Sequence, residues 1–163
     1  MKIAIISDIH DNLANLDIFF QTIKDADIQS IICLGDITNS ETLKKLAKNF
    51  SSEIFLIYGN AEIYPESDLD NYKNINYLER LKVIEIDGLK IGLCHEPGFI
   101  RKLFQEEPNL DFVFYGHTHK PWISIKNKAT MANPGTLGGV FQRPSFAIFD
   151  TTTKKLKLKL MHL

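Results

Sequence analysis

Histidine is scarce in this chain of 163 residues, five in all, and four of them stand where they could do chemistry. His10 lies two positions after Asp8, and His95 closes the apolar run 89–94. His117 and His119 form a His-x-His pair just beyond the run 111–115. Asp8, Asp36 and Asn60 occupy the same kind of place, past the runs 2–7, 31–34 and 53–58. Imidazole, carboxylate and amide oxygen together suit divalent metals from manganese through iron and nickel to zinc. With no thiolate among them, a six-coordinate site open to water is expected rather than a closed structural zinc. Two such ions roughly 3.5–4 Å apart need a bridging carboxylate, and Asp36, central in chain order, is the natural bridge. Taken singly, each residue has a plainer reading. An Asp or Asn after a strand is commonly a turn former or helix cap, and a lone His beside an apolar run is usually a satisfied, part-buried residue. His-x-His is stronger, because residues i and i+2 of an extended chain face one side. Seven such residues beyond five successive runs point to one shared site.

The elements that must position them alternate in the first half. Residues 2–7, 31–34 and 53–58 read as buried strands. Asn12 caps a helix with Leu13, Leu16, Phe20 and Ile23 on one face, and Ser40 caps a second with Leu43, Leu46, Ala47 and Phe50. This βαβαβ rhythm predicts a parallel sheet covered by helices, and ligand sites of such sheets lie beyond the carboxyl ends of the strands. In the second half, 82–86 and 89–94 flank Asp87-Gly88, a two-residue hairpin signal. Pro97 and Gly98 open a short helix to about residue 105, and 111–115 is another buried strand. Residues 122–126, 129–132, 145–150 and 156–160 read as antiparallel strands. Each half is thus expected to form its own sheet, one parallel and one antiparallel, packed face to face. Residues 61–79 show no period and read as an irregular loop with at most a helical turn. No linker or repeat divides the chain, so 1–163 is read as one domain.

Composition narrows the function classes. The net charge is −1, from 19 basic and 20 acidic residues, which draws the chain toward neither nucleic acid nor an acidic membrane. The alternating lysines and leucines of 154–160 fit a half-buried strand with its lysines in water, and no aromatic residues interleave to make a nucleic-acid patch. No segment has the roughly 20 apolar residues of a membrane span, and the first residues lack a signal-peptide core. Cys33 and Cys94 sit in apolar runs and read as buried, reduced strand residues, which fits the cytoplasm. A homo-oligomer is compatible with three large aromatics, Phe99, Phe104 and Trp122, although core burial is the expectation for them.

The order Asp8-x-His10, Gly35-Asp36, Gly59-Asn60, His95, Gly116-His117-x-His119 resembles the calcineurin-like metallophosphoesterases. The segments Ser7-Asp8-Ile9-His10, Tyr115-Gly116-His117-Thr118-His119 and Asn133-Pro134-Gly135-Thr136 are most similar to its small bacterial and archaeal phosphodiesterases, the subgroup that includes a retromer-subunit homologue. The resemblance implies an α/β fold, a four-layer αββα sandwich of two mixed sheets flanked by helices. It implies one metal on Asp8, His10, Asp36 and His119 and another on Asp36, Asn60, His95 and His117. The activity implied is hydrolysis of a small phosphate ester, most simply a diester, by a bridging hydroxide on a dinuclear centre with manganese the expected metal. Asp36, Asn60 and His117 would carry catalysis by positioning metal and phosphate. The alternative is a catalytically weak protein scaffold on the same fold, as in relatives within the retromer complex; there eroded ligands would be expected, and here every ligand position is filled.

Two departures from the family pattern bear on substrate. The segment Gly59-Asn60-Ala61-Glu62 has alanine where relatives carry a His or Cys, and the His is held to protonate the leaving group. Of the histidines only His162 is left without a role. Esters with good leaving groups, phenolic or cyclic, are therefore expected. Glu62 is expected either to orient Asn60 or a ligand histidine or to be an exposed loop acid. After Asp36 the chain continues Ile37-Thr38-Asn39-Ser40, without the phosphate-clamping arginine of phosphoprotein phosphatases. Arg101 and Lys102 read as the solvated face of the short helix. Substrate selectivity is expected to come from 61–79 and the loop around 135–143.

Overall fold

The first strand, β1 (Lys2–Ile6), is buried on both faces. Ile3 and Ile5 point one way and Ala4 and Ile6 the other, as the two-residue period of a strand requires. The computed structural model describes residues 1–161 and continues with α1 (Leu13–Ile23), β2 (Ser30–Cys33), α2 (Ser40–Asn49), β3 (Ile54–Leu56), a 3-10 segment (Glu66–Asn71) and β4 (Ile75–Tyr77). Then follow β5 (Leu81–Ile86), β6 (Leu89–Cys94), a 3-10 turn (Pro97–Phe99) running into α3 (Ile100–Glu106), and β7 (Phe112–Phe114). The chain closes with β8 (Trp122–Lys126), β9 (Ala129–Asn133), β10 (Ser145–Asp150) and β11 (Lys155–Leu160).

Two sheets result, in the orders β11-β10-β1-β2-β3-β4 and β5-β6-β7-β9-β8. Both are mixed. β1 to β4 are parallel, but β10 pairs antiparallel with β1, Lys2 opposite Asp150. In the second sheet β7 runs parallel to both β6 and β9. The expected segregation into a parallel half and an antiparallel half is therefore wrong. The C-terminal hairpin of β10 and β11 returns to the first sheet because Phe146, Ala147 and Phe149 need both of its faces covered.

The layers follow from which face each residue presents. Ala4, Ile6, Ile31, Cys33, Ile54 and Leu56 meet Leu16, Phe19, Leu43 and Leu46 of α1 and α2. Ile3, Ile5, Ile32, Leu34 and Phe55 meet Ile91, Leu93, Phe112 and Phe114 between the sheets. Cys94, Val113 and Ala129 meet Ile100 and Leu103 of α3 on the far side. This is the αββα sandwich that the resemblance implied. Asn12 caps α1 as expected, its Oδ1 accepting the Asn15 N–H at 3.0 Å. The second cap is Asn39, one residue before the expected Ser40, accepting the Thr42 N–H at 3.0 Å. Phe19 fills the core above α1, and Phe20 packs partly buried against it. The Asp87-Gly88 turn has φ 51° and 74°, the two left-handed residues of a primed hairpin turn. Trp122, expected in the core, is 53% exposed on the edge strand β8, while Phe99 and Phe104 are partly buried against the α3 layer. Both cysteines are free and buried, and burial pushes the Cys94 thiol up to about 12. No helix among the described residues is long and apolar enough to cross a membrane.

Candidate metal centre

Short turns beyond β1, β2, β3, β6 and β7 bring the predicted residues to one end of the sandwich, and backbone hydrogen bonds lace those turns together. The Asp8 N–H donates to Gly35 O and the His10 N–H to Asp36 O, both at 3.0 Å; the Gly116 N–H donates to His95 O at 2.9 Å. Gly59 and Gly116 are required here by contact. A Cβ on Gly59 would stand 2.1 Å from Asp36 Oδ1, and one on Gly116 would stand 2.0 Å from Ser7 Oγ.

Each buried aspartate uses one carboxylate oxygen on backbone and turns the other to the centre. Asp8 Oδ2 accepts the His117 N–H at 3.1 Å, and Asp36 Oδ1 accepts the Ala61 N–H at 2.9 Å. The free Asp8 Oδ1 lies 3.1 Å from His119 Nε2 and 3.7 Å from His10 Nε2. Asp36 Oδ2 lies 3.3 Å from His95 Nε2 and 3.7 Å from His10 Nε2. Two groups able to hold a metal ion emerge, Asp8 with His10 and His119, and Asp8 with Asp36 and His95. Asn60 and His117 sit at the exposed rim, Asn60 Oδ1 within 2.8 Å of His117 Nδ1. The His117 ring meets that of His95 edge to face, centroids 5.3 Å apart. His117 and His119 do not converge through an extended chain, as expected from their spacing. Both have left-handed backbone, φ 67° and 58°, in a bend.

The imidazole tautomers test whether these residues fit a metal. His95 Nδ1 lies 2.7 Å from Leu34 O and His119 Nδ1 lies 3.0 Å from Val140 O. A carbonyl can only accept, so Nδ1 carries the proton and Nε2 presents a bare lone pair to a carboxylate oxygen. In the neutral ring this sets a lone pair against an anion, which is repulsive unless a proton or a metal cation lies between. Asp8 Oδ1 and His95 Nε2 are buried with no hydrogen-bond partner. No lysine or arginine among the described residues pairs with Asp8 or Asp36, although the two are 0% and 2% exposed. Buried carboxylates without a counter-charge are costly, so the donors fit divalent cations. Without metal the same field acts on protons. The Asp8 contact raises the His10 pKa despite its burial. Burial pushes the Asp36 carboxyl up, but the contacts with His95, the Ala61 N–H and His10 outweigh it and hold the group low.

Sequence reasoning singled out Glu62 and the segment 133–136 but not the partners through which they brace this cluster. Glu62 does not project into solvent, and it reaches the donors through their backbone turns and not through their side chains. Its Oε1 accepts the Ile37 and Gly59 N–H groups, both at 3.2 Å, and its Oε2 the Thr38 N–H at 2.7 Å, so it clamps the turn of Asp36 to the turn of Asn60. Asn133 donates to Gly116 O at 2.7 Å and holds the His-x-His bend. The Thr136 hydroxyl donates to Asp8 O at 2.9 Å. The Asn133-Pro134-Gly135-Thr136 motif was the sequence signal for this second part of the brace. Arg101 and Lys102 are exposed on α3 as expected. A cleft of about 680 Å³ lined by Tyr58, Arg80, Phe99 and Lys102 neighbours the turns of Asn60 and His95, yet none of the seven predicted donors lines it. His162 lies outside the described residues.

Residues 1–154 match the calcineurin-like phosphoesterase superfamily domain. Phosphodiesterase MJ0936 of Methanocaldococcus jannaschii is 27% identical over 162 residues, 96% of this chain and 97% of that protein. The probable metallophosphoesterase MJ0623 of the same organism is 32% identical over 149 residues, 83% of this chain and 68% of its own. Among solved structures, an archaeal phosphodiesterase superposes with a TM-score of 0.85 at 27% identity, covering 99% of this chain and all of that one. Zinc-complexed Vps29 of Entamoeba histolytica shares the fold, with a TM-score of 0.72, 22% identity and 97% and 90% coverage.

Proposed function

The chain belongs to the calcineurin-like phosphoesterase superfamily, and from that premise we propose that it is a phosphodiesterase working with two divalent metal ions. The observation that carries the reading is the facing of two buried carboxylates and three imidazoles, with no lysine or arginine among the described residues paired with either carboxylate. Asp8, His10, Asp36 and His119 would hold one ion, and Asp36, Asn60, His95 and His117 the other. Manganese is the metal we propose; zinc, iron and nickel suit the same donors, two oxygens and two imidazoles in each half. When bound, such ions supply Lewis-acid charge for the phosphate oxygens and an acidified water as nucleophile.

The chain's own contribution is preorganisation. Leu34 and Val140 carbonyls hold His95 and His119 in the tautomer that presents Nε2. Backbone N–H groups of His117 and Ala61 keep the Asp8 and Asp36 carboxylates from swinging. Donors fixed in advance need no reorganisation as charge develops on phosphorus. Ala61 has no proton to give a leaving group, so the protein favours esters whose leaving group needs none, phenolic or cyclic diesters. The full-length similarity to a named phosphodiesterase supports the diester. Free, buried cysteines support a reducing, cytoplasmic location.

The test is hydrolysis of bis-p-nitrophenyl phosphate by metal-stripped protein titrated with manganese, nickel, zinc and magnesium. Activity should return with metal and fall roughly a hundredfold or more in Asp36→Asn and His117→Ala, the scale of losing one group that stabilises transition-state charge. Alkyl diesters should be hydrolysed far more slowly; equal rates on alkyl and nitrophenyl esters would refute the leaving-group argument. A second reading, a protein scaffold on this fold, has Ala61 in its favour. Folded protein that binds two ions and hydrolyses nothing would establish it.

A further inference from the structure

Six large apolar side chains are exposed among the described residues, and the most exposed is Phe141, at 91%. Single exposed apolar residues are ordinary on a protein surface, so exposure alone assigns nothing. What sets Phe141 apart is its neighbour and the way it is held. Its ring lies nearly parallel to the His119 imidazole, 24° between planes and 5.8 Å between centroids. Val140, the residue before it, is the one whose carbonyl accepts the His119 Nδ1–H. The backbone of Phe141 is thus anchored to the ring that it faces.

The stretch leading to it is pinned to the turn of Asp8. The Leu137 N–H donates to Ser7 O at 2.9 Å and the Gly138 N–H to Asp8 O at 3.0 Å. Side chains of Asn12 and Asn15 donate to Gly138 O and Leu137 O at 2.9 and 3.0 Å. Phe141 itself has φ 61°, a conformation that disfavours any bulky side chain. Its neighbours Gln142 and Arg143 are exposed as well, and the chain is buried again from Pro144. The ring is therefore held out on a fixed support beside the donor cluster, instead of folding back onto the core.

An aromatic face held open against the ring of a candidate metal-binding histidine is what stacking recognition requires. Any planar ring offers a π-face to it, and offset stacking is favoured at centroid separations of about 4.5–7 Å. We infer that Phe141 is a specificity-determining residue whose open face stacks a planar aromatic group of the substrate, a nucleobase or a phenolic ring attached next to the phosphate. The inference rests on the phosphoesterase reading and names its substrate class. Ile63, 75% exposed three residues beyond Asn60, offers no such plane.

Non-hydrolysable phosphonates test it by calorimetric titration of the manganese-loaded protein. Wild type should bind phenylphosphonate more tightly than ethylphosphonate. Phe141→Ala should lose that preference by roughly tenfold, the size of one lost aromatic stack, with ethylphosphonate affinity and metal content unchanged; Phe141→Trp should keep it. An adenosine 5′-phosphonate separates the two sources: tighter binding than phenylphosphonate, again dependent on Phe141, assigns the platform to nucleotides, and weaker binding to phenolic esters. The same phenyl-to-ethyl ratio in wild type and Phe141→Ala overturns the inference. So does an equal loss for both ligands, because Phe141 would then only support His119. Binding of neither phosphonate to metal-loaded wild type overturns the phosphoesterase reading itself, and this assignment with it.

Discussion

Glu62→Gln changes one oxygen to an amide nitrogen, and its consequence can be worked out bond by bond. The carboxylate accepts three backbone N–H groups, from Ile37 and Gly59 on Oε1 and from Thr38 on Oε2. Burial pushes this carboxyl up, and the three N–H donors pull it back toward the charged form. Glutamine has a single acceptor, so in either orientation its NH₂ must face a donor. The less damaging orientation keeps Ile37 and Gly59 and loses the 2.7 Å bond from Thr38. A hydrogen bond to a charged acceptor is worth about 1.5–3 kcal/mol, and relief of carboxylate desolvation returns part of that. Glu62→Gln should therefore destabilise the protein by about 2 kcal/mol. Glu62→Ala, losing all three bonds, should cost about 3 kcal/mol or more, tempered by water entering a part-buried site. Because the clamp ties the turn of Asp36 to that of Asn60, metal affinity should fall roughly 10–100-fold in both variants, as for other residues that orient metal ligands. Urea unfolding of metal-free protein gives the first quantity and manganese titration the second. An unchanged urea midpoint together with unchanged metal affinity in Glu62→Gln would refute the clamp. Lost stability with intact affinity would show that it folds the turns without setting the donors.

Gly116→Ala would place a Cβ 2.0 Å from Ser7 Oγ and 3.0 Å from Asp8 Oδ2, so it should cost about 1–3 kcal/mol of stability and most of the hydrolytic activity. Gly98→Ala, with nothing within 4 Å of the new carbon, is the control, and equal thermal melts for the two would sink the packing argument. Saturating metal should stabilise the folded protein by about 2.7 kcal/mol at a hundred times its Kd, a gain that chelator removes and that Asp36→Asn should shrink. A melting temperature indifferent to metal and chelator would mean that the cluster binds no cation.

How much of this was legible in the sequence depends on the range of the forces involved. Strands such as β1 and β6 are near-continuous apolar runs, and their ends announced where Asp8, His10 and His95 would stand. β4 was missed because three residues, Ile75, Asn76 and Tyr77, cannot display a period; it is defined by pairing with β3. The return of β10 to β1 is likewise a long-range pairing with no local signature. The His-x-His spacing pointed to the right residues for a wrong reason. An extended chain was assumed, whereas a left-handed bend held by Asn133 is what places them. Glu62 shows the same limit from the other side. Its type and position were plain, but its three partners are backbone N–H groups, which every residue except proline carries, and no sequence can say which of them will converge.

Ala61 bears differently on the two readings of the protein once backbone strain is counted. Asp8, His10, Asp36, His117 and His119 all have left-handed φ, between 46° and 67°. Each non-glycine residue so held costs of order 1–2 kcal/mol. Five of them together approach the whole stability of about 5–15 kcal/mol that a domain retains. To that the metal-free fold adds buried acceptors with no partner, Asp8 Oδ1 and His95 Nε2, each costing about 1–3 kcal/mol. Nothing in the apolar layers requires either burden. A scaffold could shed both by placing glycine or asparagine at the bends and apolar residues at the buried positions, with no loss to its outer surface. A site that must hold cations cannot, because these five strained residues are among those that supply the donors. Five of the seven donor residues carry such strain, and Ala61, in the turn clamped by Glu62, does not. On the phosphodiesterase reading proposed above, the lack of an acid at Ala61 would change which leaving groups the site can expel and would leave the donor arrangement whole.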